Sequence, residues 1–472
     1  MIIMSQQFVD RERELSFLEE KYREPGPQLI IVYGRRRIGK TELLLRFARD
    51  KPHIYYLCEK TRVDANLRKM AAKMAAYLGA ESFAKIMFAD WEELFAEFLR
   101  WKKGDERLVI ILDEFPYLLE LDKGLASLFQ KIWDTHLSKR NDIFLVLTGS
   151  SIGIMETQVL GYKSPLYGRR TGQWKVTELP LHAIRAFTPN YTFEDVLKVY
   201  AALGGVPAYL SLLNPALPLS QNIEKALLTK GSPLYEEAEN LLRQELREPR
   251  NYKLILQAIA EGKRRVTEIA SATGIDRAAV SRYLETLLLL EIVDYETPVL
   301  APPKTKKRLY YIKDNYFNFW FRYIHPNRDL VESGRSRDLL HTVMADYPNY
   351  MGQIFERIAT SFLACTSPFR PRRIGRHWWK NPRGEAREID VLAVGDNAYL
   401  LAEVKWSILS TRGIHRIHRA LKEKAASLRL HGKIYYAVVA KKLPRVRVQG
   451  LLLYDLRDIE AATEADKYCA NQ

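Results

Sequence analysis

Three short, wholly apolar stretches stand out in the first third of the chain. They run from Leu29 to Val32, from Leu108 to Leu112 and from Ile143 to Leu147, and each is followed by polar or small residues. A short apolar run of this kind is typical of a strand buried on both faces, as in a parallel sheet covered by helices. Residues 43–47 follow the first run with helical spacing. The pattern therefore predicts an α/β domain built on a parallel sheet.

The first predicted strand leads into GRRRIGKT, which matches the P-loop pattern. In such a loop, backbone N–H groups at the start of a helix surround a phosphate group. Lys40 would neutralise the β and γ phosphates, and the Thr41 hydroxyl would bind Mg²⁺. A surface turn that merely contains glycine is the alternative. The pattern favours binding of ATP, and the predicted loop residues are Gly34, Arg35, Arg36, Arg37, Ile38, Gly39, Lys40, Thr41 and Glu42.

The ends of the other two apolar runs supply polar groups for the same predicted site. Asp113 is the candidate Mg²⁺ ligand, and Glu114 is placed to polarise an attacking water, which favours hydrolysis over nucleotide storage. Ser150 follows the third run and could sense the γ-phosphate. Either Arg169 or Arg170 could act as an arginine finger, within one chain or across an oligomer contact. A solvated basic loop is the alternative for these two arginines.

The order of the motifs resembles a known family. FVDRERELSFL, GRRRIGKT, LDEF, LTGSS, SPLYGRR and LGGVPAYL occur in the order found in the archaeal P-loop ATPases of the AAA-like STAND group, over essentially the whole chain. The resemblance implies that the segment from Phe8, including Arg11, helps to hold the nucleotide base. It also implies that Pro207 marks a helical lid on the far side of the nucleotide. An ordinary helix charge is the alternative for Arg11.

Length and composition agree with a multidomain globular protein. The 472 residues predict about three domains, and 47% apolar residues is ordinary for soluble proteins. No run of eighteen apolar residues occurs and the N-terminus lacks the apolar core of a signal peptide, so we expect no membrane span and a cytoplasmic location. Cys58, Cys365 and Cys469 are scattered without CxxC spacing, which argues against a disulfide framework or a zinc site.

The net charge of +16 is concentrated near the C-terminus. Residues 370–450 contain 19 Lys plus Arg and 6 Asp plus Glu, a balance of +13. Such a concentration favours a partner with a phosphate backbone, although acidic proteins and membrane surfaces also attract cations. DNA is therefore the leading predicted partner.

Residues 252–295 have the pattern of a helix-turn-helix, followed by strands and a loop at 297–308 that would form a wing. Arg277 and Arg282 would point outward from the third helix, where they could contact DNA. A role as a lid or spacer is the alternative for this module. The aromatic segment 314–323 more often docks two domains than stacks on bases.

The last domain carries a second group of charged residues with a defined spacing. Asp390 on one predicted strand is followed, twelve residues later, by Glu403-Val404-Lys405 on the next. Because side chains alternate along a strand, Glu403 and Lys405 share a face, and Asp390 can converge on them to hold Mg²⁺ or Mn²⁺. Lys405 would position water or neutralise the transition state of phosphodiester hydrolysis.

This arrangement resembles the PD-(D/E)xK nuclease superfamily, which implies an acidic residue on the first helix, where Glu356 fits. The usual Pro-Asp is Ile389-Asp390 here, and Glu388 could compete for the metal position. A degenerate nuclease kept as a DNA-binding platform therefore stays open. A patterned basic helix face is predicted to contact DNA through Arg416, Arg419 and Lys422.

The sequence thus predicts an α/β multidomain protein with a parallel-sheet P-loop NTPase domain, a helical lid, a winged helix-turn-helix and a restriction-endonuclease-like α/β domain. The predicted limits are 1–178, 179–248, 249–313, 314–350 for aromatic connecting helices, and 351–472. The predicted function is ATP hydrolysis coupled to DNA binding and metal-dependent DNA cleavage. The alternative is a STAND-type switch that binds DNA or protein without cutting. A homo-oligomer or a protein partner is possible under either interpretation.

Overall fold

Two β-sheets organise the chain, one in each of two structural units. The computed structural model describes residues 8–381 and 384–465. The first unit extends to Leu179 and also includes residues 206–208. The second unit comprises residues 180–205 and the chain from Tyr209 onward.

The sheet of the first unit is wholly parallel, as the apolar runs predicted. Its strands are β1 (Gln28–Tyr33), β2 (His53–Leu57), β3 (Leu108–Asp113), β4 (Ile143–Gly149) and β5 (Gly172–Lys175). They lie in the order β2-β3-β4-β1-β5. Every residue of β1, β3 and β4 is buried, because helices cover both faces of these central strands.

Eight helices of the first unit surround this sheet within the described residues. They are α1 (Glu12–Arg23), α2 (Lys40–Ala48), α3 (Val63–Leu78), α4 (Glu81–Ala84), α5 (Trp91–Trp101), α6 (Pro116–Leu121), α7 (Leu125–Ile132) and α8 (Ile152–Ile154). Alternate residues of β1 enter two different hydrophobic clusters: Leu29 and Ile31 belong to one, and Ile30 and Val32 to the other. The strand therefore contributes to the core on both faces, and its carboxyl end is left for the loop that follows.

The second unit begins with helices and contains the winged helix. Its helices before the second sheet are α9 (Phe193–Leu203), α10 (Pro207–Leu210, whose first two residues belong to the first unit), α11 (Leu219–Leu227), α12 (Glu237–Glu245), α13 (Pro249–Ala260), α14 (Val266–Thr273), α15 (Arg277–Leu289), α16 (Asn315–Phe319), α17 (Arg328–Glu332) and α18 (Ser336–Thr366). Helices α13 to α15 form the predicted helix-turn-helix. The Asp276 carboxylate caps α15 by accepting from the N–H groups of Ala278 and Ala279.

Two antiparallel strands, β6 (Val293–Glu296) and β7 (Leu309–Ile312), form the wing. The aromatic segment after it forms α16 and a π-helical turn, Trp320–Ile324. Its rings are mostly buried, which agrees with a packing role for this segment.

The second sheet is mixed. Its strands are β8 (Arg373–Lys380), β9 (Ala386–Val394), β10 (Ala398–Ile408), β11 (Lys433–Lys442) and β12 (Leu452–Tyr454), in the order β12-β11-β10-β9-β8. Strand β9 pairs antiparallel with both β8 and β10. Strand β11 pairs parallel with both β10 and β12. Two further helices, α19 (Thr411–Leu428) and α20 (Leu456–Glu464), complete this part. The α/β multidomain fold is thereby confirmed.

The cysteines and the helix lengths bear on two further expectations. Cys58 is a buried free thiol, whereas Cys365 is disulfide-bonded, which corrects the expectation that the cysteines form no disulfide. Cys469 lies outside the described residues. No helix in the described part of the chain is long and apolar enough to span a bilayer.

Candidate functional site

The P-loop joins the end of β1 to the start of α2. Gly34 has φ +151°, and a Cβ there would collide with the carbonyl oxygen of Val176, so no side chain fits. Gly39 adopts the left-handed conformation, with φ +87°, immediately before Lys40 begins the helix. Glu42 is half-buried in the first helical turn, where an acidic side chain suits the helix dipole. The loop therefore presents its backbone to the space at the carboxyl end of the sheet.

Lys40 is folded over this loop. Its side chain is buried, and Nζ donates to the carbonyl oxygen of Arg35 at 3.0 Å. Arg37 adopts φ +69°, and its carbonyl oxygen accepts from the N–H of Ala208 at 3.4 Å. Ala208 follows Pro207, so residues 206–208, which belong to the first unit, contact the P-loop.

Asp113, at the end of β3, is held by three donors. Thr41 Oγ1 donates to Asp113 Oδ2 at 2.6 Å, and the Tyr55 hydroxyl donates to the same oxygen at 2.9 Å. The N–H of Glu114 donates to Oδ1 at 2.9 Å. Burial raises the pKa of Tyr55 and the neighbouring Asp113 raises it further, so Tyr55 stays a neutral donor. The predicted Mg²⁺ ligands Thr41 and Asp113 are thus in direct contact and offer the oxygen ligands that this cation prefers.

The Glu114 carboxylate, just after β3, is hydrogen-bonded to Ser150, just after the neighbouring strand β4. Its Oε2 accepts from Ser150 Oγ at 2.8 Å and from the Ser150 N–H at 3.2 Å. Glu114 has φ +54°, a conformation that a residue other than glycine rarely adopts and that marks local strain. The predicted base and the predicted phosphate sensor are therefore hydrogen-bonded to each other through Oε2 of Glu114.

Arg11 supports the loop through its backbone. The guanidinium is buried, donates to the carbonyl oxygens of Ile38 and Thr177 at 3.0 Å each, and pairs with Glu14 at 2.7 Å. These bonds brace the P-loop through the Ile38 carbonyl oxygen, and the contact with the nucleotide base that the resemblance implied stays a prediction.

The other predicted arginines differ in their partners. Arg35 pairs with Glu178 at 2.5 Å, and Arg169 pairs with Asp134 at 2.8 Å. Arg170 stacks over the ring of Tyr167, and its Nη1 has no hydrogen-bond acceptor within the described residues. Of the two finger candidates, Arg170 is therefore the one whose guanidinium is not already engaged by Asp134. Arg36 Nη1 donates to the Tyr117 hydroxyl at 3.1 Å.

A second cluster of charges lies on the mixed sheet. Strands β9 and β10 are antiparallel, and their pairing ends at Ala402 opposite Val391, so Asp390 and Glu403 are the next residue of each strand. Lys405 Nζ lies 2.7 Å from Glu403 Oε1 and 3.3 Å from Asp390 Oδ2. The Val404 N–H also donates to Asp390 Oδ2, at 2.9 Å, and Lys424 of α19 binds Glu403 Oε2 at 2.9 Å. The spacing in the sequence thus brings the predicted acid, acid and lysine together.

Two lysines balance the two carboxylates of this cluster. Burial would raise the pKa of Glu403, but its bonds to Lys405 and Lys424 outweigh burial and lower that pKa. Burial would lower the pKa of Lys405, and Asp390 and Glu403 outweigh it and raise the pKa. Both groups are therefore charged at neutral pH.

Glu356 is not brought into this set. Arg376 of β8 binds Glu356 Oε2 at 2.8 Å and also Glu388 at 3.1 Å. Burial raises the pKa of Glu356 to about 7, and Asp390 contributes to the rise. Across residues 8–381 and 384–465, no three His, Cys, Asp or Glu side chains are grouped to hold a metal ion. Arg376 thus pairs with the Glu356 carboxylate, and a role for Glu356 as a metal ligand beside Asp390 and Glu403 stays a prediction.

The residues predicted to contact DNA are all exposed. Arg277 and Arg282 lie on α15, whose inner face buries Val280 and Leu284. On α19 the inner face buries residues such as Leu421. The basic side chains on the outer face of α19 are Arg416, Arg419 and Lys422.

Three residues at these sites escaped the sequence analysis. Tyr55 is on β2, where its alternation with buried Ile54 and Tyr56 could have placed it toward the sheet's polar edge, but nothing in the sequence pairs it with Asp113. Arg376 and Lys424 carried no motif. Their partners lie 20 and 21 residues away, so only the folded chain shows the contacts.

Three protein families match separate parts of the chain. A family described as an ATPase domain predominantly from Archaea matches residues 8–213. The bacterial regulatory proteins of the arsR family match residues 253–295. A family described as Archaea bacterial proteins of unknown function matches residues 320–417. The P-loop, the winged helix and the start of the mixed sheet thus fall in three different families.

Relatives extend the match to the whole chain. An uncharacterised protein of Methanocaldococcus jannaschii is 38% identical over 459 residues, which cover 96% of this chain and 99% of that protein. An uncharacterised ATP-binding protein of the same organism is 54% identical over 44 residues, 9% of this chain and 75% of that protein. The Walker-type ATPase PABY2304 of Pyrococcus abyssi has a TM-score of 0.51 at 21% identity, covering 67% of this chain and 96% of that one. That structure shares the fold.

Proposed function

The chain belongs to a family of archaeal ATPases that join a P-loop domain to a winged helix and a C-terminal domain of unknown function, and from that premise we propose that it hydrolyses ATP to control DNA binding. The proposed working parts are those of the sequence prediction, 1–178 for hydrolysis, 179–248 as lid, 249–313 as winged helix, and 351–472 as the DNA-binding end.

The contact between Thr41 and Asp113 carries the ATPase proposal. It joins the P-loop to the end of β3 at 2.6 Å, with Glu114 as the next residue. Lys40 and the loop backbone would bind the phosphates, and Thr41 and Asp113 would hold Mg²⁺, which neutralises phosphate charge when bound. Glu114 would accept a proton from the attacking water, through Oε1 or after Oε2 is released from Ser150.

Release of Glu114 offers a way to link nucleotide state to hydrolysis. Ser150 donates two hydrogen bonds to the Glu114 carboxylate, one through its hydroxyl and one through its N–H. A γ-phosphate at the carboxyl end of the sheet would compete for the Ser150 hydroxyl. We therefore assign Ser150 the role of holding the base until the triphosphate is in place.

Phosphate release from ATP in Mg²⁺ tests the proposal. The native chain should turn over ATP, and the Lys40→Ala variant should lose both binding and turnover. Lys123→Ala removes an exposed lysine of the first unit and should leave both unchanged. Tight ATP binding without turnover by the native chain, with and without duplex DNA, would contradict hydrolysis and leave a nucleotide-binding switch.

The mixed sheet favours a second candidate function, metal-dependent cleavage of DNA. The observation is the convergence of Asp390, Glu403 and Lys405 on one face of β9 and β10. The two carboxylates suit a hard divalent cation in ligand type, and Mg²⁺ or Mn²⁺ held there would polarise a phosphodiester. Lys405 would neutralise charge on the phosphate. The competing function is a STAND-type ATP-dependent regulator that binds DNA or protein without cutting.

Cleavage assays separate these candidates. Labelled duplex, single-stranded and branched DNA would be incubated in Mg²⁺ or Mn²⁺, with and without ATP. Cutting by the native chain that is lost in Asp390→Ala and in Lys405→Ala would support a nuclease. Lys433→Ala changes an exposed lysine of the same sheet and is the matched control. Salt-sensitive DNA binding with no cutting would favour the regulator.

The oligomeric state bears on a third possibility, a motor that moves nucleic acid. A motor would need a closed ring and an arginine supplied by a neighbouring subunit, for which Arg170 is the better candidate of the pair. Mass in solution with and without ATP distinguishes a ring from a monomeric switch.

A further inference from the structure

The wing loop, residues 297–308, is fixed to the edge of the mixed sheet. The Val299 N–H donates to the carbonyl oxygen of Arg376 at 3.2 Å. The next N–H, of Leu300, donates to His377 Nδ1 at 3.4 Å. Both acceptors belong to β8, the edge strand, so the loop covers one backbone carbonyl and one side-chain nitrogen of that edge.

Side-chain packing strengthens this attachment. Val299 is buried in the same hydrophobic cluster as Ile389 and Leu392 of β9. The pairing of β8 with β9 is irregular between Gly375 and His377, where the register shifts. Such a bulge bends the edge strand and disrupts its regular pairing, which suits the hydrogen bond that the Val299 N–H donates to the Arg376 carbonyl oxygen.

His377 is a neutral anchor at physiological pH. Burial, with a smaller contribution from the nearby Lys307, lowers its pKa to about 4. The ring nitrogen that accepts from Leu300 therefore keeps its lone pair. The Lys307 effect also shows that the tip of the wing lies within electrostatic range of β8.

The wing tip is strongly basic and exposed. Residues 297–313 contain no Asp or Glu, and the segment 304–308 reads KTKKR. Lys304, Lys306 and Lys307 are exposed, and within the described residues none of them has a carboxylate partner. Arg373 at the start of β8 is also exposed, and its Nη1 donates to the carbonyl oxygen of Ala301 at 3.2 Å. The bond to Ala301 places Arg373 beside the wing loop that carries these lysines.

The chemistry of this group favours a phosphate backbone over a protein. The exposed residues of the tip are lysine, arginine and proline, without the aromatic anchors that dominate protein interfaces. Lysines bind phosphates as point charges and do not read base edges. Because the tip is attached to a sheet, its cations do not lose the freedom of a mobile loop on binding.

We propose that Lys304, Lys306, Lys307 and Arg373 form one surface of the winged helix and the mixed sheet together, and that this surface binds the sugar-phosphate backbone of a nucleic acid without sequence preference. The inference rests on the proposed DNA binding and specifies where the backbone lies. The strand that holds the wing pairs with the strand that carries Asp390, so bound nucleic acid would reach the candidate carboxylates from this edge.

Salt-dependent binding of a labelled duplex to the full chain tests the proposal. The triple variant Lys304→Gln, Lys306→Gln, Lys307→Gln should lower the slope of log K against log salt by about 2.7, because each lost phosphate contact contributes about 0.9. Its affinity should fall equally for duplexes of unrelated sequence. The matched control changes three exposed lysines of the first unit and removes the same charge: Lys85→Gln, Lys103→Gln and Lys123→Gln.

The outcomes separate this inference from the function on which it rests. No duplex binding by the native chain would refute DNA binding and the surface with it. Native binding with an equal slope in both triple variants would overturn the surface alone. The surface would also be overturned if the wing variant lost binding to polyglutamate, an acidic polypeptide, while its binding to DNA was unchanged. Arg277→Gln with Arg282→Gln shows separately whether α15 contributes, and thermal unfolding of each variant verifies its fold.

Discussion

Replacing Glu114 by glutamine tests the role of the proposed base while keeping its shape. The glutamine carbonyl can still accept the bonds from the Ser150 N–H and hydroxyl, at 3.2 and 2.8 Å in the native chain, so the local backbone should persist. A positioned general base contributes about 10²- to 10⁴-fold, which corresponds to about 3–5 kcal/mol of activation free energy. We therefore expect kcat for ATP hydrolysis to fall by that factor.

Nucleotide binding should change little in the same variant. Lys40 and the loop backbone are the groups that would contact the phosphates, and Glu114 is bound to Ser150 instead. Hydrogen bonds to a charged group are worth about 1 kcal/mol more than neutral ones, so the free energy of unfolding should fall by about 1 kcal/mol. Single-turnover phosphate release, titration with a fluorescent ATP analogue and urea unfolding measure the three quantities.

The control variant is Glu120→Gln, which removes an exposed carboxylate that pairs with Lys60 at 2.7 Å. It should leave kcat, nucleotide affinity and stability unchanged, because exposed ion pairs contribute little. The reasoning is refuted if Glu114→Gln keeps more than about one tenth of native kcat. The loss of activity would then be far smaller than the loss expected on removing a general base. A tenfold loss of nucleotide affinity would instead make Glu114 a structural part of the phosphate site.

Further expectations follow from the other contacts. Thr41→Ala should weaken Mg²⁺-dependent ATP binding while Mg²⁺-free binding is retained, and calorimetric titration with and without Mg²⁺ that finds equal losses would contradict this. Bonds to Lys102 and a nearby arginine outweigh burial and lower the pKa of Asp142 to about 2, so the stability that ionised Asp142 contributes to the fold is complete above about pH 4 and is lost as pH falls toward 2. Lys102→Met should lower the free energy of unfolding, measured with denaturant, by about 2–3 kcal/mol at pH 7 and by less at pH 3. Burial raises the pKa of Glu356 to about 7, so in the folded protein this carboxyl keeps a proton that the unfolded chain loses near pH 4.5, and the free energy of unfolding should fall as pH rises from 4.5 to 7. Glu356→Gln should therefore be about 1–3 kcal/mol more stable than the native chain at pH 8 and equally stable at pH 4. A difference in stability that does not change with pH would disprove the assignment.

Local patterns in the sequence predicted much of the frame. The apolar runs gave β1, β3 and β4 because a strand buried on both faces needs no polar position. The alternation in the Glu403-Val404-Lys405 segment likewise predicted two side chains on one face. Spacings of a few residues encode such features directly, since strand and helix geometry fix where neighbouring side chains point.

Contacts between distant segments could not be predicted in this way. Residues 297–308 were predicted to form the wing loop, but nothing in the sequence indicated that Leu300 binds His377, 77 residues later. Glu356 was predicted as a site residue from its position in a motif order, and nothing in the sequence indicated that Arg376 pairs with its carboxylate. No periodicity records such pairings.

The sequence by itself therefore determined the strands, the P-loop and the chemical types present at each candidate site. The tertiary structure alone decided which charges neutralise one another, which carboxylate is held by Ser150, and which edge of the mixed sheet the wing covers. The physical reason is that these contacts form between elements far apart in the sequence, where burial and competing partners decide which hydrogen bonds and ion pairs are made. The local pattern of residues contains no information on how closely such elements approach each other.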